Sequence, residues 1–582
     1  MKPSDRRLLS LLASSSPKGL SIGEILSSLR LKGKGKTQVR KIVGRLLRKG
    51  ICGKSNGKYF VSRTKTARYP DGSRTPRGKI LPTFEEEIDE ARQIDRILKS
   101  NGILRRFDRS VLRELKNVPV VVLRTKSENR TDLRGLPFVT IDDREARDFD
   151  DAIYAERDPQ GYRIWVSIAD VAHYVKAGSA IDRAAFARGV STYLPERTLP
   201  MLPEELSGGI CSLIAGRDRK TVTCEIVLGF DGRAVRFNAY RSINRIAARL
   251  SYEEADDMLE TGLAKGGRPA DKIAELLSLA NEIAGKLEKK RTMRGMIDFA
   301  LPEKRCRLDQ AGRVVDFVKI RPTGTRKAIE HFMLEANENI GRFCHKNRIP
   351  ILWRNHKAPM PQKKSEAKTL LRNLNLRPNA LNCGRDFNDI LSQMRRAEVS
   401  DIAAIHLLKV MSLAKYEIAP SFHFGLSVSK YCHFTSPIRR YPDLIVHRAV
   451  TRFLESKSSA KLSPRIAHHC SARERSATKA ERKVVSLKQA IFLSDRIGDA
   501  FDATVSGLHA NGAFVTIERP FVEGFVPYRS ILDDSYEVSA TGLHLLGRRS
   551  KRRVSIGAQM RAKLRRSNAL HLSPEFDWTA WK

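Results

Sequence analysis

The sequence predicts a multi-domain α+β protein: an N-terminal winged helix, a central mixed α/β domain and a C-terminal OB-type β-barrel. Three observations lead there. The first sixty or so residues show helical apolar periodicity closed by a hairpin signal. Residues from about 130 to 455 alternate strand-like and helix-like segments irregularly. From 497 onward the pattern changes to short strands separated by glycine.

In the first segment, "DRRLLSLLAS" is amphipathic, and "SIGEILSSLRL" places Glu24 three residues after Ser21, a capping-box spacing. "KTQVRKIVGRLLRKG" puts Val39, Ile42, Val43, Leu46 and Leu47 on one face and cations on the other, then stops at Gly50. "ICGKSNGKYFV" reads as a hairpin turning at Asn56-Gly57. Residues 1–62 are thus expected to form a winged helix-turn-helix, either contacting nucleic acid through its basic third helix or serving as a packing module. A basic, Pro- and Gly-punctuated linker follows over 63–82, then a charged helix, "FEEEIDEARQIDRILKSNGI", ending near Asn101-Gly102. "YRIWVSIADVAHYV" reads as a strand entering a turn, and "KAIEHFMLEANENIGRFCHKN" as a long helix. Residues 465–494, rich in Arg, Ala and Glu, read as a long exposed helix; "AFDATVSGLHANGAFVTIE", "VEGFVPYRSIL" and "QMRAKLRRSN" supply barrel strands.

Composition bounds the partners. The chain has 582 residues, 107 Lys and Arg against 65 Asp and Glu, and a formal charge of +42. A charge of this size points to a polyanion, most often nucleic acid. A hydrophobic content of 41% is enough for real cores, which excludes a disordered basic tail. The eight cysteines, Cys52, Cys211, Cys224, Cys306, Cys344, Cys383, Cys432 and Cys470, form no Cys-x-x-Cys pair. That spacing suggests reduced thiols rather than a zinc site or a disulfide framework. No stretch approaches the roughly 20 apolar residues needed to span a bilayer, so the expected location is cytoplasmic, with no membrane partner.

Against this basic background, "TIDDREARDFDDAIYAE" places six acids between Asp142 and Asp151. Carboxylate oxygens are preferred ligands of hard cations such as Mg²⁺, and one or two such ions can polarise a phosphoryl oxygen and generate a nucleophile. The other reading is a solvated acidic loop.

The same stretch closely resembles the catalytic signature of the ribonuclease II and ribonuclease R family of 3′-to-5′ exoribonucleases. "GVSTYLPERTLPMLPEELSGGICSL", "IEHFMLEAN", "HFGLSVSKYCHFTSPIRRYPDLIVHRA" and "ATKAERKV" resemble further family motifs in the family's order. The resemblance implies four aspartates around Mg²⁺ at the floor of a narrow channel: Asp142, Asp148, Asp150 and Asp151. Asp142 and Asp151 would be direct ligands, and Asp150 the acid whose loss abolishes hydrolysis but not binding. Asp143 and Glu145 would be solvated acids. Arg439 would offset charge at the scissile phosphate; Arg440 would bind RNA or form a structural ion pair. Tyr193 and Phe299 resemble the two aromatics that clamp stacked nucleotides, a sequence-tolerant interaction worth roughly 1–3 kcal/mol per base. Tyr252 and Glu330 match positions that contact the 3′ end, and Glu481 an acid on a later helix. The barrel resembles the S-one-type RNA-binding domain, with Phe514, Phe521 and Phe525 as stacking or core aromatics, about half of them core, and cations around 548–566 for phosphates.

The implied domain plan is a winged helix over 1–62, a basic linker with the remnant of a cold-shock region over 63–118, the RNB catalytic domain with its trailing helix over 119–494, and the barrel over 495–575. The family's two cold-shock barrels are expected to be reduced or missing, since 63–118 leaves no room for both. His331 stands where the family motif has a second Glu, and Asn511 where the barrel commonly has an aromatic. The implied function is a Mg²⁺-dependent, processive exoribonuclease releasing nucleoside 5′-monophosphates from single-stranded RNA, in RNA decay and quality control. It would be a monomer, with the ribosome or other RNA-decay factors as further partners. The rival readings are a non-catalytic RNA-binding relative and a DNA-binding regulator led by the winged helix.

Overall fold

Helix and strand signals in this chain are punctuated by glycine, proline and capping residues, and a computed structural model shows which punctuation holds. It describes residues 20–28, 39, 43, 52–55, 58–61, 84–119, 129–261, 268–321, 323–396, 401–459, 461–539, 544–568 and 571–581. The chain divides into two compact units, Met1–Arg92 and Gln93–Lys582.

In the first unit the capping box forms ahead of α1 (Ile22–Ser28). The Glu24 N–H donates to Ser21 Oγ (3.3 Å), and the Ser21 N–H to Glu24 Oε2 (2.7 Å). Strands β1 (Cys52–Ser55) and β2 (Lys58–Val61) pair antiparallel, Cys52 opposite Val61. Val39 and Val43 are helical and buried. Most of the expected first and third helices of the winged helix, and the linker, lie outside the described residues. Helix α2 (Phe84–Ser100) stops where Asn101-Gly102 predicts, Gly102 taking φ +64°. Helix α3 (Arg109–Leu115) follows, so the described residues of 84–118 carry two helices joined by a short turn and loop, with no strand among them.

The central sheet consists of β3 (Thr131–Asp132), β4 (Phe138–Asp142), β5 (Asp151–Asp158), β6 (Gly161–Ala169), β9 (Asp218–Gly229) and β10 (Ala234–Ser251). Its order is β3-β10-β4-β5-β6-β9. The long β10 pairs antiparallel with β9 along one half and parallel with β4 along the other, so the pairings close on themselves. Successive residues face opposite cores: Phe138 and Ala152 pack into one, Val139 and Ile153 into the other. Burial on both faces explains why β6 reads as a nearly continuous apolar run. Around the sheet lie α4 (Val171–Tyr174), α5 (Ala180–Arg188), the hairpin β7 (Thr192–Leu194) and β8 (Arg197–Leu199), and α6 (Tyr252–Thr261).

Helices α7 (Arg268–Arg294) and α8 (Gly324–Lys346) are clamped by buried charge. Arg291, 1% exposed, reaches Glu335 Oε2 at 2.5 Å and His331 Nδ1 at 2.7 Å; Lys290 Nζ reaches the same Glu335 oxygen at 2.8 Å. Burial, then Arg291, pushes the His331 imidazole down to about 3, so it is the neutral acceptor of this cluster. Between the two helices runs the hairpin β11 (Glu303–Leu308) and β12 (Val314–Ile320).

After β13 (Trp353–Asn355), helices α9 (Pro361–Asn373), α10 (Gly384–Arg396) and α11 (Asp401–Val410) build their own core around Leu371, Phe387 and Leu391. Strand β14 (Lys415–Glu417) pairs with β13, and α12 (Tyr441–Leu454) leads to α13 (Pro464–Ser494). The expectation of an exposed helix over 465–494 is corrected. Ala477, Ala480, Val484 and Leu487 of α13 pack against Ile94, Leu98, Leu194 and Leu199, and Leu493 packs into the barrel core. The Arg-Ala-Glu composition conceals an alanine-rich buried stripe beneath a charged face.

The C-terminal barrel closes as β15 (Ala500–His509), β16 (Gly512–Ile517), β17 (Val522–Pro527), β22 (His571–Trp581) and β21 (Gln559–Asn568). A small sheet of β18 (Tyr536–Val538), β19 (His544–Gly547) and β20 (Arg553–Ser555) is inserted between β17 and β21. The fifth barrel strand runs past residue 575 to Trp581. The expectation that about half of three phenylalanines are core is also corrected. Val505, Val515, Val522, Leu564 and Phe576 fill the barrel, while Phe514 is exposed and Phe521 and Phe525 are half-buried.

Removing Arg291 would leave the buried Glu335 carboxylate short of its main partner. Arg291→Ala is expected to lower unfolding free energy by about 3–5 kcal/mol. The double variant Arg291→Met/Glu335→Met should lose much less. Urea denaturation midpoints check both; equal losses would sink the charge-clamp account.

Candidate active site

Asp142 ends β4 and Asp151 begins β5, neighbouring antiparallel strands, so their carboxylates leave the sheet at one edge. The connection between them carries Asp148 and Asp150. Asp150 is 2% exposed. Its Oδ1 accepts the Ile438 backbone N–H at 2.8 Å, and its Oδ2 lies 3.3 Å from Arg439 Nε. Beyond that ion pair, Oδ2 accepts no hydrogen bond among the described residues.

The segment presenting Arg439 is tied down from both sides. Arg439 Nη2 donates to Ser436 Oγ at 2.9 Å, and its carbonyl accepts the Ser191 N–H at 3.0 Å. The Ser436 N–H and Arg440 Nη2 both donate to Asp443 Oδ1, at 2.8 and 2.7 Å. Arg440 is therefore engaged in a structural ion pair with the fully buried Asp443, while Arg439 stays 42% exposed beside Asp150.

The four carboxyls resist ionising together. Burial, then Asp151, pushes Asp142 up to about 8; burial pushes Asp151 up to about 6 against the opposing pull of Arg439. Asp148 is raised, and Asp150 well raised, by burial above all. Arg439, despite partial desolvation, is held more firmly protonated by the field of Tyr193, Asp150 and Asp151. Like charges in a desolvated pocket behave this way until a cation is supplied.

Among the described residues, no three acidic, imidazole or thiolate side chains converge into a ready-made metal cage. Magnesium does not need one: it keeps several waters and is usually held by one or two carboxylates plus substrate phosphate oxygens. An all-oxygen donor set, raised carboxyls and the orphaned Asp150 Oδ2 fit such a cation. Asp142, Asp148, Asp150 and Asp151 are the residues that would hold it.

Around this edge, Tyr193 is 42% exposed, with its hydroxyl 3.5 Å from Asp148 Oδ2. Glu481 on α13 accepts the Tyr193 backbone N–H at 2.7 Å, so it positions the aromatic's strand. Tyr252 opens α6, and its hydroxyl is pushed up by burial, then by Asp142 and Asp151. Asp143 is not a solvated acid. It pairs with Arg326 (2.6 Å) and Arg305 (3.0 Å), which outweigh burial and hold its carboxyl below the usual range. Glu145 is exposed, as expected.

The other candidates have their own surroundings. Phe299 packs partly buried against the α9–α11 core, and Glu330 is exposed on α8. Phe514 and Phe525 meet edge-to-face at 5.4 Å on the barrel. Sequence reasoning missed the Ile438 N–H, Ser436, Asp443, Arg305 and Arg326. Only Asp443 left a signal, three residues after Arg440 in the first turn of a helix.

The RNB domain family model matches residues 130–456. Ribonuclease R of Thermotoga maritima is 34% identical over 525 residues, covering 88% of this chain and 73% of its own. The structure of Mycoplasma genitalium RNase R in complex with ribose methylated single-stranded RNA superposes with a TM-score of 0.78 at 26% identity, covering 84% of this chain and 78% of that one. Yeast Ssd1, a pseudonuclease, shares the fold at a TM-score of 0.64 and 20% identity, over 78% of this chain and 57% of that one.

The raised carboxyls have a sign. Folded Asp142 keeps its proton up to about 8, whereas the unfolded side chain loses it near 3.8. Between those values the folded state binds more protons, so this group's contribution to stability falls as pH rises. In EDTA, melting temperature should drop between about pH 5.5 and about pH 8.5 more steeply for wild type than for Asp142→Asn. Magnesium should flatten the wild-type curve. Parallel curves in EDTA would refute the assignment.

Proposed function

The chain belongs to the RNB-domain family of exoribonucleases, and from that premise we propose that it is a magnesium-dependent, processive 3′-to-5′ exoribonuclease. It digests single-stranded RNA, and RNA duplexes with a 3′ overhang, to nucleoside 5′-monophosphates in RNA decay and quality control. The observation that carries the reading is Asp150: a buried carboxylate with one oxygen fixed by a backbone N–H and the other facing Arg439, set among three further acids. A non-catalytic RNA binder has no use for carboxylates held against their own repulsion.

What magnesium supplies when bound is charge on the phosphoryl oxygen and a more acidic water. Asp142, Asp148, Asp150 and Asp151 would hold the cation, and Asp150, whose Oδ2 accepts no hydrogen bond among the described residues, would also accept one from the attacking water. Arg439, tied through Ser436, places its guanidinium where charge builds on the phosphate oxygens and does not reorganise during reaction. Tyr193 offers an exposed ring on which any base can stack, which suits a sequence-independent enzyme. Tyr252 closes the other end of the carboxylate edge, against the terminal nucleotide. Arg440 and Glu481 act as positioning residues for Arg439 and Tyr193.

Supporting parts follow the same logic. The winged helix of 1–62 and the barrel, from 495 to Trp581, hold RNA by charge, and Phe514 and Phe525 give the barrel a stacking patch. The protein acts as a cytoplasmic monomer on RNA.

Full-length protein with 3′-end-labelled RNA and Mg²⁺ tests the reading. Wild type should release mononucleotides. Asp150→Asn should slow release by about 10²- to 10³-fold or more while RNA affinity is retained, and Arg439→Lys should lower kcat more than it raises KM. Tight binding by wild type without mononucleotide release would establish a pseudonuclease instead. A stall several nucleotides before every duplex would remove structured RNA from the substrate range.

A further inference from the structure

One feature of the site is absorbed by none of these roles. Asp143 immediately follows Asp142 but turns away from the carboxylate group, and a single oxygen, Oδ1, takes both Arg326 Nη2 at 2.6 Å and Arg305 Nη2 at 3.0 Å. Two guanidiniums on one carboxylate leave a positive charge uncompensated. Among the described residues neither has a second acid within ion-pairing distance, and the side chains remain 28% and 42% exposed.

Position gives that charge meaning. Arg326 lies 4.1 Å over the ring of Tyr252. Tyr252 follows Ser251, the β10 residue in register with Asp142. The paired arginines therefore stand on the Tyr252 side of Asp142, while Arg439 Nε meets Asp150 and the Tyr193 hydroxyl meets Asp148. On the exoribonuclease reading above, Tyr252 meets the terminal nucleotide, so that nucleotide would lie beside Arg326. A 3′-hydroxyl terminus places no phosphate there. The group two guanidiniums would bind, by charge-assisted and bidentate hydrogen bonds, is a phosphate on the terminal 3′ oxygen.

We propose that Arg326, braced by Asp143 and Tyr252 and assisted by Arg305, forms a terminal-phosphate subsite that lets the enzyme start on RNA ending in a 3′-phosphate. The inference rests on the exoribonuclease reading above. The first turnover adds water across the last internucleotide linkage: water oxygen bonds to phosphorus, the bond to O3′ of the penultimate nucleotide breaks, and that oxygen takes the proton. The first product is then a nucleoside 3′,5′-bisphosphate, and every later one a 5′-monophosphate.

Two synthetic single-stranded RNAs of one sequence, ending in 3′-hydroxyl or 3′-phosphate, test it with the full chain and Mg²⁺. The readout is the ratio of first-turnover kcat/KM for the two ends, with the bisphosphate identified by mass. Wild type should keep the ratio within about threefold of unity. Arg326→Ala weakens both ends through Tyr252 but should lower the 3′-phosphate to 3′-hydroxyl ratio by about 10- to 100-fold, the scale of a lost charged hydrogen bond. Arg326→Lys should retain part of the ratio, and Arg305→Ala, on a half-buried strand position, should lower it less. Wild type that rejects the phosphorylated end, or a ratio that neither arginine moves, overturns the subsite. No release from either end by wild type is failure of the exoribonuclease reading itself and is told apart by the hydroxyl-ended RNA.

Discussion

Four carboxylates crowded at the edge of one strand pair repel each other, and much of the architecture around them manages that repulsion. Left to water, such a group would spread apart. Here β4 and β5 fix two of them by register, and the connection between the strands cannot retreat because Asp150 is fastened to the Ile438 backbone. The Arg439 segment is fastened in turn by Ser436 and Asp443. Among the described residues, Arg439 alone makes an ion pair within the group, with Asp150, while Arg305 and Arg326 pair with Asp143 instead. The residual deficit would give the site affinity for a cation, and a cation so held would have open positions for phosphate.

This resolves the contrast between a chain carrying +42 and its most acidic segment. The two charges act at different ranges. Distributed cations attract a polyanion over a distance set by screening, roughly 8–10 Å in ordinary salt. On the proposed reading, the acids act within ligand reach, through a metal. A basic site would bind phosphate without a means to cut it; an acidic protein would hold the metal and repel the RNA.

Legibility in the sequence followed the range of the interaction. Local chemistry was readable: the Ser21–Glu24 capping box, the stop at Gly102 and the five barrel strands each depend on residues close in the chain. The four aspartates were readable because one short connection carries them. What escaped was set by residues far apart. The pairing of Asp143 with Arg305 and Arg326 spans more than 160 residues, so nothing near Asp143 marks it as anything but another acid. The same is true of Glu481, whose carboxylate reaches back to the Tyr193 backbone across 288 residues. Burial of α13 was misread because alanine at helical spacing is as compatible with an exposed helix as with close packing. Only the partners, Leu194 and Leu199 of the β7–β8 hairpin, decide between them.

Helix α13 then carries a consequence for how binding and cutting are connected. Its middle supports the hairpin that presents Tyr193, and its last turn inserts Leu493 into the barrel core, where Ser567 Oγ also donates to the Ala490 carbonyl at 2.7 Å. The barrel is braced a second time by the β11–β12 hairpin, since the Phe521 N–H donates to the Phe317 carbonyl at 2.9 Å and Phe317 sits in the barrel's own core. A flexible tether would let the barrel concentrate RNA near the site without fixing its path. Two braces, one of them shared with the hairpin that carries Tyr193, hold the barrel against the catalytic domain, and on the proposed reading they would set the direction from which RNA meets the carboxylates. Mutations in the buried stripe of α13 should therefore disturb the register of the bound chain before they disturb the chemistry, because Asp150 and Arg439 are held by a different set of bonds.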